Sequence, residues 1–222
     1  MEESGLDDFF DWLKGNGYIV HANIHEVSNY GVPQHRKRFT LTANRVTADE
    51  LIPQPRQGRK TTVRDVLGVH NNFPSIPQGF KDDTDRLHTV AGLNAINLKR
   101  LAITPHDGGD RMAYVLNKEL APPCHYGKID GFKDIYGRMY WDRPAPTITT
   151  KFFSISNGRF AHPEEDRAIS LREGAVLQSF PLTYKFKGKS IANIARMIGN
   201  AVPPTYANAV GNAIIQNHNN AI

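Results

Sequence analysis

Cysteine is almost missing from this 222-residue chain, with Cys124 the only one. An internal disulfide and a cysteine-rich metal site are therefore excluded, and a reducing compartment fits best. Long apolar runs are missing too, and no stretch approaches the roughly 20 residues that span a bilayer. The opening, "MEESGLDDFFDWL", is acidic and lacks the pattern of a secretory signal. These gaps predict a soluble cytoplasmic protein with no membrane partner. The nine histidines, His21, His25, His88, His106, His125 and His162 among them, show no metal-ligand spacing, so no metal is expected. Internal repeats and low-complexity segments are also missing.

Apolar residues make up 40% of the chain, enough for a core, while 18 glycines and 14 prolines predict many turns. The net charge of +5 and pI near 9.3 permit a polyanionic partner without requiring one. The basic residues fall in two places. One is the linker "PQPRQGRKTTVR" (53–64). The other is the series Arg138, Arg143, Arg159, Arg167 and Arg172. On charge alone, a solvated face and a nucleic-acid contact are equal explanations.

Leu6, Phe9, Phe10 and Leu13 have helical spacing, with Ser4 and Asp7 placed to cap the start and Gly15 and Gly17 to stop it. "YIVHANIHEV" and "RFTLTAN" read as strands joined by a turn. Signals then weaken from about 45 to 165. "VTADELIPQPRQGRKTTVRDVLG" reads as linker plus a short helix, "LNAINLKRLAI" as a short helix, and "RMYWDRPAPTITTKFFSISNGRFAHP" as short strands broken by Pro144, Pro146 and Gly158. Order returns with a capping box, Ser170 and Glu173, ahead of "LREGAVLQSF". "SIANIARMIGN" is a second helix. A third follows Pro203 and Pro204, with Tyr206, Val210, Ala213 and Ile214 on one stripe. Gly199 is expected to permit a tight turn and Asn200 to cap that last helix.

Three segments in order carry a resemblance. "YGVPQHRKRF" (30–39), "RAISLREGAVLQSFPLTYKF" (167–186) and "IGNAVPPTYANAV" (198–210) resemble the eighth, ninth and tenth motifs of bacterial DNA cytosine-5 methyltransferases. "DIYGRMYWDRPAPTITT" and "GRFAHPEEDRAIS" resemble the stretch leading into the ninth. In that family a glycine-rich cofactor turn, a Pro-Cys nucleophile and a Glu-Asn-Val precede the eighth motif. None of these patterns occurs in the 29 residues up to Asn29. Cys124, although it follows a proline, lies after the eighth motif and is read as a passive thiol. A Cys124–His125 hydrolase pair is disfavoured, because adjacent loop residues rarely aim at each other.

The resemblance implies an α/β chain: the terminal part of a Rossmann-like methyltransferase sheet domain plus a small, mixed, loop-rich target-recognition domain. Residues 1–44 would carry the last catalytic strands, 45–190 the recognition domain with the ninth motif, and 191–222 the tenth-motif helix returning to the sheet. It places Arg36 and Arg38 beside an extruded cytosine, the latter nearest the base oxygen, on one face of an extended strand with Lys37 on the other. It places Asn200, Ala201 and Val202 against S-adenosylmethionine. Arg138, Thr147, Thr149 and Arg159 become candidate contacts to double-stranded DNA. The expected role is the C-terminal half of a restriction-modification-type methyltransferase, inactive alone and partnered by an N-terminal half, with self-association where that half is missing. A truncated product and a non-catalytic DNA-binding subunit are the competing readings, and transfer-RNA-modifying members fit the long insert less well.

Overall fold

In the computed structural model, which describes residues 5–84 and 87–220, the helical spacing at the start becomes α1, Gly5–Gly15. Asp7 and Asp8 sit in its first turn, where carboxylates suit the positive end of a helix. The expected cap at Ser4 lies outside the described residues. Of the four apolar residues at helical spacing, only Leu13 is buried. The chain turns at Gly17 (φ +78°) into β1, Ile19–Glu26. This strand pairs antiparallel with β2, Lys37–Asn44, with Ile19 opposite Asn44 and Glu26 opposite Lys37. The connecting 3-10 turn, Val27–Tyr30, ends at Gly31 with φ +88°. A Cβ at Gly31 would also come within 3.1 Å of the Arg56 side chain.

These two strands are the only named strands among the described residues. Opposed residues share a face, so the register sorts the sheet into two sides. One side carries His21, Asn23 and His25 with Thr42, Thr40 and Arg38. It is covered by α6, Pro204–Asn219. Tyr206 packs edge-on against Tyr30 at 4.9 Å, its hydroxyl lies 2.6 Å from Thr40 Oγ1, and Val27 and Val32 complete this small core. The other side carries Val20, Ala22 and Ile24 with Ala43, Leu41 and Phe39. There Ile24 is 62% and Phe39 51% exposed.

The main core lies elsewhere. It joins α2 (Val63–Val66), α4 (Leu171–Leu177) and α5 (Ile191–Asn200) through Leu67, Phe73, Met139, Trp141, Phe152, Phe160 and Ile194. A satellite cluster joins Leu101 of α3 (Ala95–Ile103) to Ile155, Ala161 and Ala168. The expected capping box opens α4: Glu173 N donates to Ser170 Oγ at 3.1 Å and Ser170 N to the Glu173 carboxylate at 2.6 Å.

Three local expectations are corrected. Residues 138–163 form no strand, only isolated bridges such as Arg138 with Ala161. Pro144 and Pro146 lack the N–H that a ladder needs. The α5 helix runs through Asn200, and the N-cap of α6 is Pro203 with no side-chain cap bond. Gly199 therefore sits inside a helix and Asn200 caps nothing. The buried stripe of α6 is Tyr206, Ala213 and Asn217 with Val210 half-buried, so Ile214, one position off it, is exposed.

Candidate functional site

The turn before β2 brings three distant segments together. Gln34, fully buried, donates through Nε2 to Leu177 O at 3.1 Å and Gln178 Oε1 at 2.8 Å. Its own Oε1 accepts from Ile148 N at 3.0 Å. Gln178 passes the link on, donating to Ile198 O at 2.8 Å. Arg36 then clamps two crossing chains, donating to Ile148 O and to Gly199 O, both at 2.9 Å. Thr147 Oγ1 donates to His35 O at 2.7 Å. At the crossing, a Cβ on Gly199 would lie 2.5 Å from the Thr149 carbonyl. Close backbone approach, not a tight turn, is what requires glycine there.

Arg36 and Arg38 thus have different duties. Arg36 is buried and bound by carbonyls; its buried Nε has no hydrogen-bond partner among the described residues. Arg38 is half-buried, and its one hydrogen bond among the described residues goes to the neighbouring Lys37 O at 2.8 Å. Burial lowers its pKa from the ordinary guanidinium value. A guanidinium remains charged under these conditions and keeps donors free for an acceptor. Asn200 and Val202 are exposed and Ala201 half-exposed beside the clamp. None of the three borders the surface cavities around Arg56 and Met112. Thr149 is exposed at the crossing, with Oγ1 accepting from Lys151 N at 3.4 Å.

Two candidate DNA contacts are in the interior. Arg138 has 0% exposure. It donates to Thr104 O, His162 O, Glu165 O and Leu101 O and pairs with Asp166. Arg159 is also buried. It donates to Asp134 at 2.8 Å and to the carbonyls of Gly108 and Arg138. Their donors are committed to loops that have no ladder of their own, so these two arginines stitch the fold and do not face a phosphate. Arg167 is buried as well, bound bidentate to Glu173 at 2.7 and 2.8 Å and to Glu165 at 2.8 Å. Burial pushes the Glu173 carboxyl up, but the charge and hydrogen bonds of Arg167 outweigh it and hold the pKa at about 2.

The basic linker, by contrast, stays on the surface. Arg56 borders three neighbouring cavities of about 420, 300 and 220 Å³. Arg59 is neutralised by Asp65 at 2.6 Å. Gln34 and Gln178 went unassigned as site residues by sequence, although both lie inside the motif segments. A glutamine within the apolar run "GAVLQSF" was the available signal for the second.

The family model for "C-5 cytosine-specific DNA methylase" matches residues 2–216. Among curated relatives, the type II methylase M.HgiDII of Herpetosiphon aurantiacus is 36% identical over 94% of this chain and 59% of its own length. The type II methyltransferase M1.BsuMI of Bacillus subtilis is 30% identical over 91% of this chain and 45% of its own. The chain thus spans about half the length of the curated relatives it matches. A solved DNA modification methyltransferase encoded within an E. coli prophage superposes with a TM-score of 0.65 at 18% identity, covering 97% of this chain and 65% of that one. At that identity the likeness shows the fold alone.

Proposed function

The chain belongs to the C-5 cytosine-specific DNA methylase family, and we propose that it supplies the target-recognition and pocket-closing part of such an enzyme. The observation that carries this reading is the convergence of the three motif segments through Gln34, Arg36 and Gln178, with Arg38, bound only to Lys37 O among the described residues, beside them. Cytosine C5 is a poor nucleophile until a thiolate adds at C6, and the base must first leave the stack. Arg38 would donate to the extruded base or its phosphate. Arg36 and Gln34 are positioning residues, because they fix the crossing of residues 147–150 over Gly199 without a free donor of their own at its surface. The family's methyl donor, S-adenosylmethionine, supplies an electrophilic methyl group. Asn200, Ala201 and Val202 fit one side of its site, with an exposed amide and an apolar surface.

The remaining walls, the nucleophile and the other strands would come from a segment that precedes the eighth motif in the family. The bare apolar side of the β1–β2 sheet supports this, since Ile24 and Phe39 lie opposite each other and exposed on it. Soluble monomers seldom leave such a face open. Without that segment the chain is proposed to be inactive and to self-associate through this face. Residues 1–44 and 191–222 would then complete the catalytic sheet domain, and 45–190 the recognition domain. Co-expression with the preceding portion of a bacterial relative tests the proposal. A soluble complex with methyl transfer, lost in Arg38→Ala, is expected. DNA binding without any complex would instead favour a non-catalytic DNA-binding subunit.

A further inference from the structure

The linker and α6 enclose a groove that neither Arg38 nor Asn200 borders. Two of the three cavities around Arg56 make it up. The one of about 220 Å³ is bordered by Ser28, Arg56 and Lys60. The one of about 300 Å³ is bordered by Arg56 again and by Asn208, Asn212 and Gln216 of α6. Joined at Arg56, they have the size of a small-molecule site. At the first end Ser28 is 2% exposed, and its Oγ has no hydrogen-bond partner among the described residues. A buried hydroxyl left so is costly unless a ligand satisfies it. Arg56 makes one long contact, to Thr61 Oγ1 at 3.5 Å. Neither it nor Lys60, at the rim, has an ion pair among the described residues. No carboxylate borders either cavity, and Glu26, two residues before Ser28, is bound to Ser28 N and Arg36 N. An unpaired guanidinium beside an unpartnered hydroxyl fits a phosphate group.

The second end is neutral. Asn212 Nδ2 donates to Asn208 Oδ1 at 3.0 Å, which leaves Asn212 Oδ1 open, and the Gln216 carboxamide has no hydrogen bond among the described residues. Carboxamides that offer both a donor and an acceptor pair with the N6–N7 edge of adenine. Past this wall the groove meets a cavity that shares Gln216 and is bordered by Asp49 and Glu50. A nucleic-acid strand laid along the groove would carry a further phosphate toward those carboxylates, whereas a mononucleotide has only one. We propose that the groove binds a purine nucleoside monophosphate of the adenosine type. Its phosphate meets Arg56 and the Ser28 hydroxyl, and its base edge meets Asn212 and Gln216. The site is separate from the surfaces at Arg38 and Asn200 and does not depend on their roles.

The test is calorimetric titration of the chain with adenosine monophosphate, with inorganic phosphate, S-adenosylmethionine and a DNA duplex as comparisons. Saturable binding is expected, weakened about tenfold or more in Arg56→Ala, as loss of a charge-assisted hydrogen bond does. Ser28→Ala should weaken it several-fold while leaving the melting temperature of the free chain unchanged, because the hydroxyl has no partner to lose. Asn212→Ala combined with Gln216→Ala should bring the affinity down to that of inorganic phosphate, whose own binding it should not alter. S-adenosylmethionine, which carries no phosphate, should not displace the nucleotide. No saturable binding at millimolar nucleotide, or equal binding by Arg56→Ala, would overturn the site. Nucleotide held no tighter than inorganic phosphate would overturn the base contact. Displacement by S-adenosylmethionine would move the ligand to the cofactor wall, and Arg56→Ala that weakened the duplex as much as the nucleotide would give the guanidinium to a DNA backbone; either overturns the proposal. Methyl transfer by the restored pair, lost or kept in Arg38→Ala, reports on the other reading independently.

Discussion

The body around α2, α4 and α5 and the sheet body around β1, β2 and α6 solve the same problem unequally. The first closes on itself. Its core includes Met139, Ile148, Phe152 and Ile198, all fully buried, and its irregular loops are tied down by Arg138, Arg159 and Arg167. The second has two strands, with Tyr206 of α6 packed on one side and Ile24 and Phe39 exposed on the other. Substitutions of one kind should therefore act oppositely in the two bodies. Polar stitching is indispensable in the first, while apolar surface in the second serves something other than the chain's own stability.

The largest effect should come from Arg138→Ala, which strands the buried carbonyls of Leu101, Thr104 and His162 and the partly buried one of Glu165. Each buried polar group left without its hydrogen bond costs about 1–3 kcal/mol. We expect the chain to lose cooperative thermal unfolding. An unchanged melting temperature would put Arg138 back among surface contacts. Acid should act on the same body. The folded Glu173 pKa, about 2, lies below its ordinary 4.5, so its contribution is present above pH 4.5 and lost as pH falls toward 2. Burial also lowers the pKa of His162, which makes its protonation below its ordinary 6.5 a further cost to the folded state. Unfolding followed by circular dichroism should show falling stability across these windows, and Glu173→Gln should flatten the lower one.

A smaller effect is expected from Gly199→Ala, whose Cβ must displace the Thr149 backbone. Overpacking of this kind costs about 1–3 kcal/mol. It should disturb the crossing more than the fold, so methyl transfer in a restored enzyme should fall further than the melting temperature suggests. Ile24→Lys should change stability by no more than about 0.5 kcal/mol, the usual range for an exposed site. Light scattering should nevertheless find the parent chain associating with concentration and the variant monomeric. A parent monomeric at high concentration would remove the reason to treat that face as an interface. Smallest of all, Cys124→Ser should change neither duplex affinity nor stability, since the thiol is exposed and outside every contact described above.

How much of this was legible depended on whether the information was local. Helices α1, α5 and α6 and the strand pair announce themselves through periodicity, and Ser170 with Glu173 announces α4. In the long stretch between, the short helices α2 and α3 were legible, and the rest was not because its order is nonlocal: a guanidinium at 138 satisfies carbonyls at 101, 104, 162 and 165. The same fact misplaced the candidate DNA contacts. Arginine is usually exposed, so Arg138 and Arg159 looked like a basic surface when they are interior cross-links. Arg36 is likewise committed to carbonyls, while Arg38, two residues on, is only half-buried. The duplex-facing charge is accordingly sought in the 53–64 linker.

Methyl transfer from labelled S-adenosylmethionine to cytosine-containing duplex, with and without the preceding portion of a relative, tests the central claim most directly. The account predicts no incorporation by the chain alone, incorporation by the pair, and loss of that incorporation in Arg38→Ala with the complex intact. Incorporation by the pure chain that Cys124→Ser abolished would contradict it, as would a fully active Arg38→Ala pair.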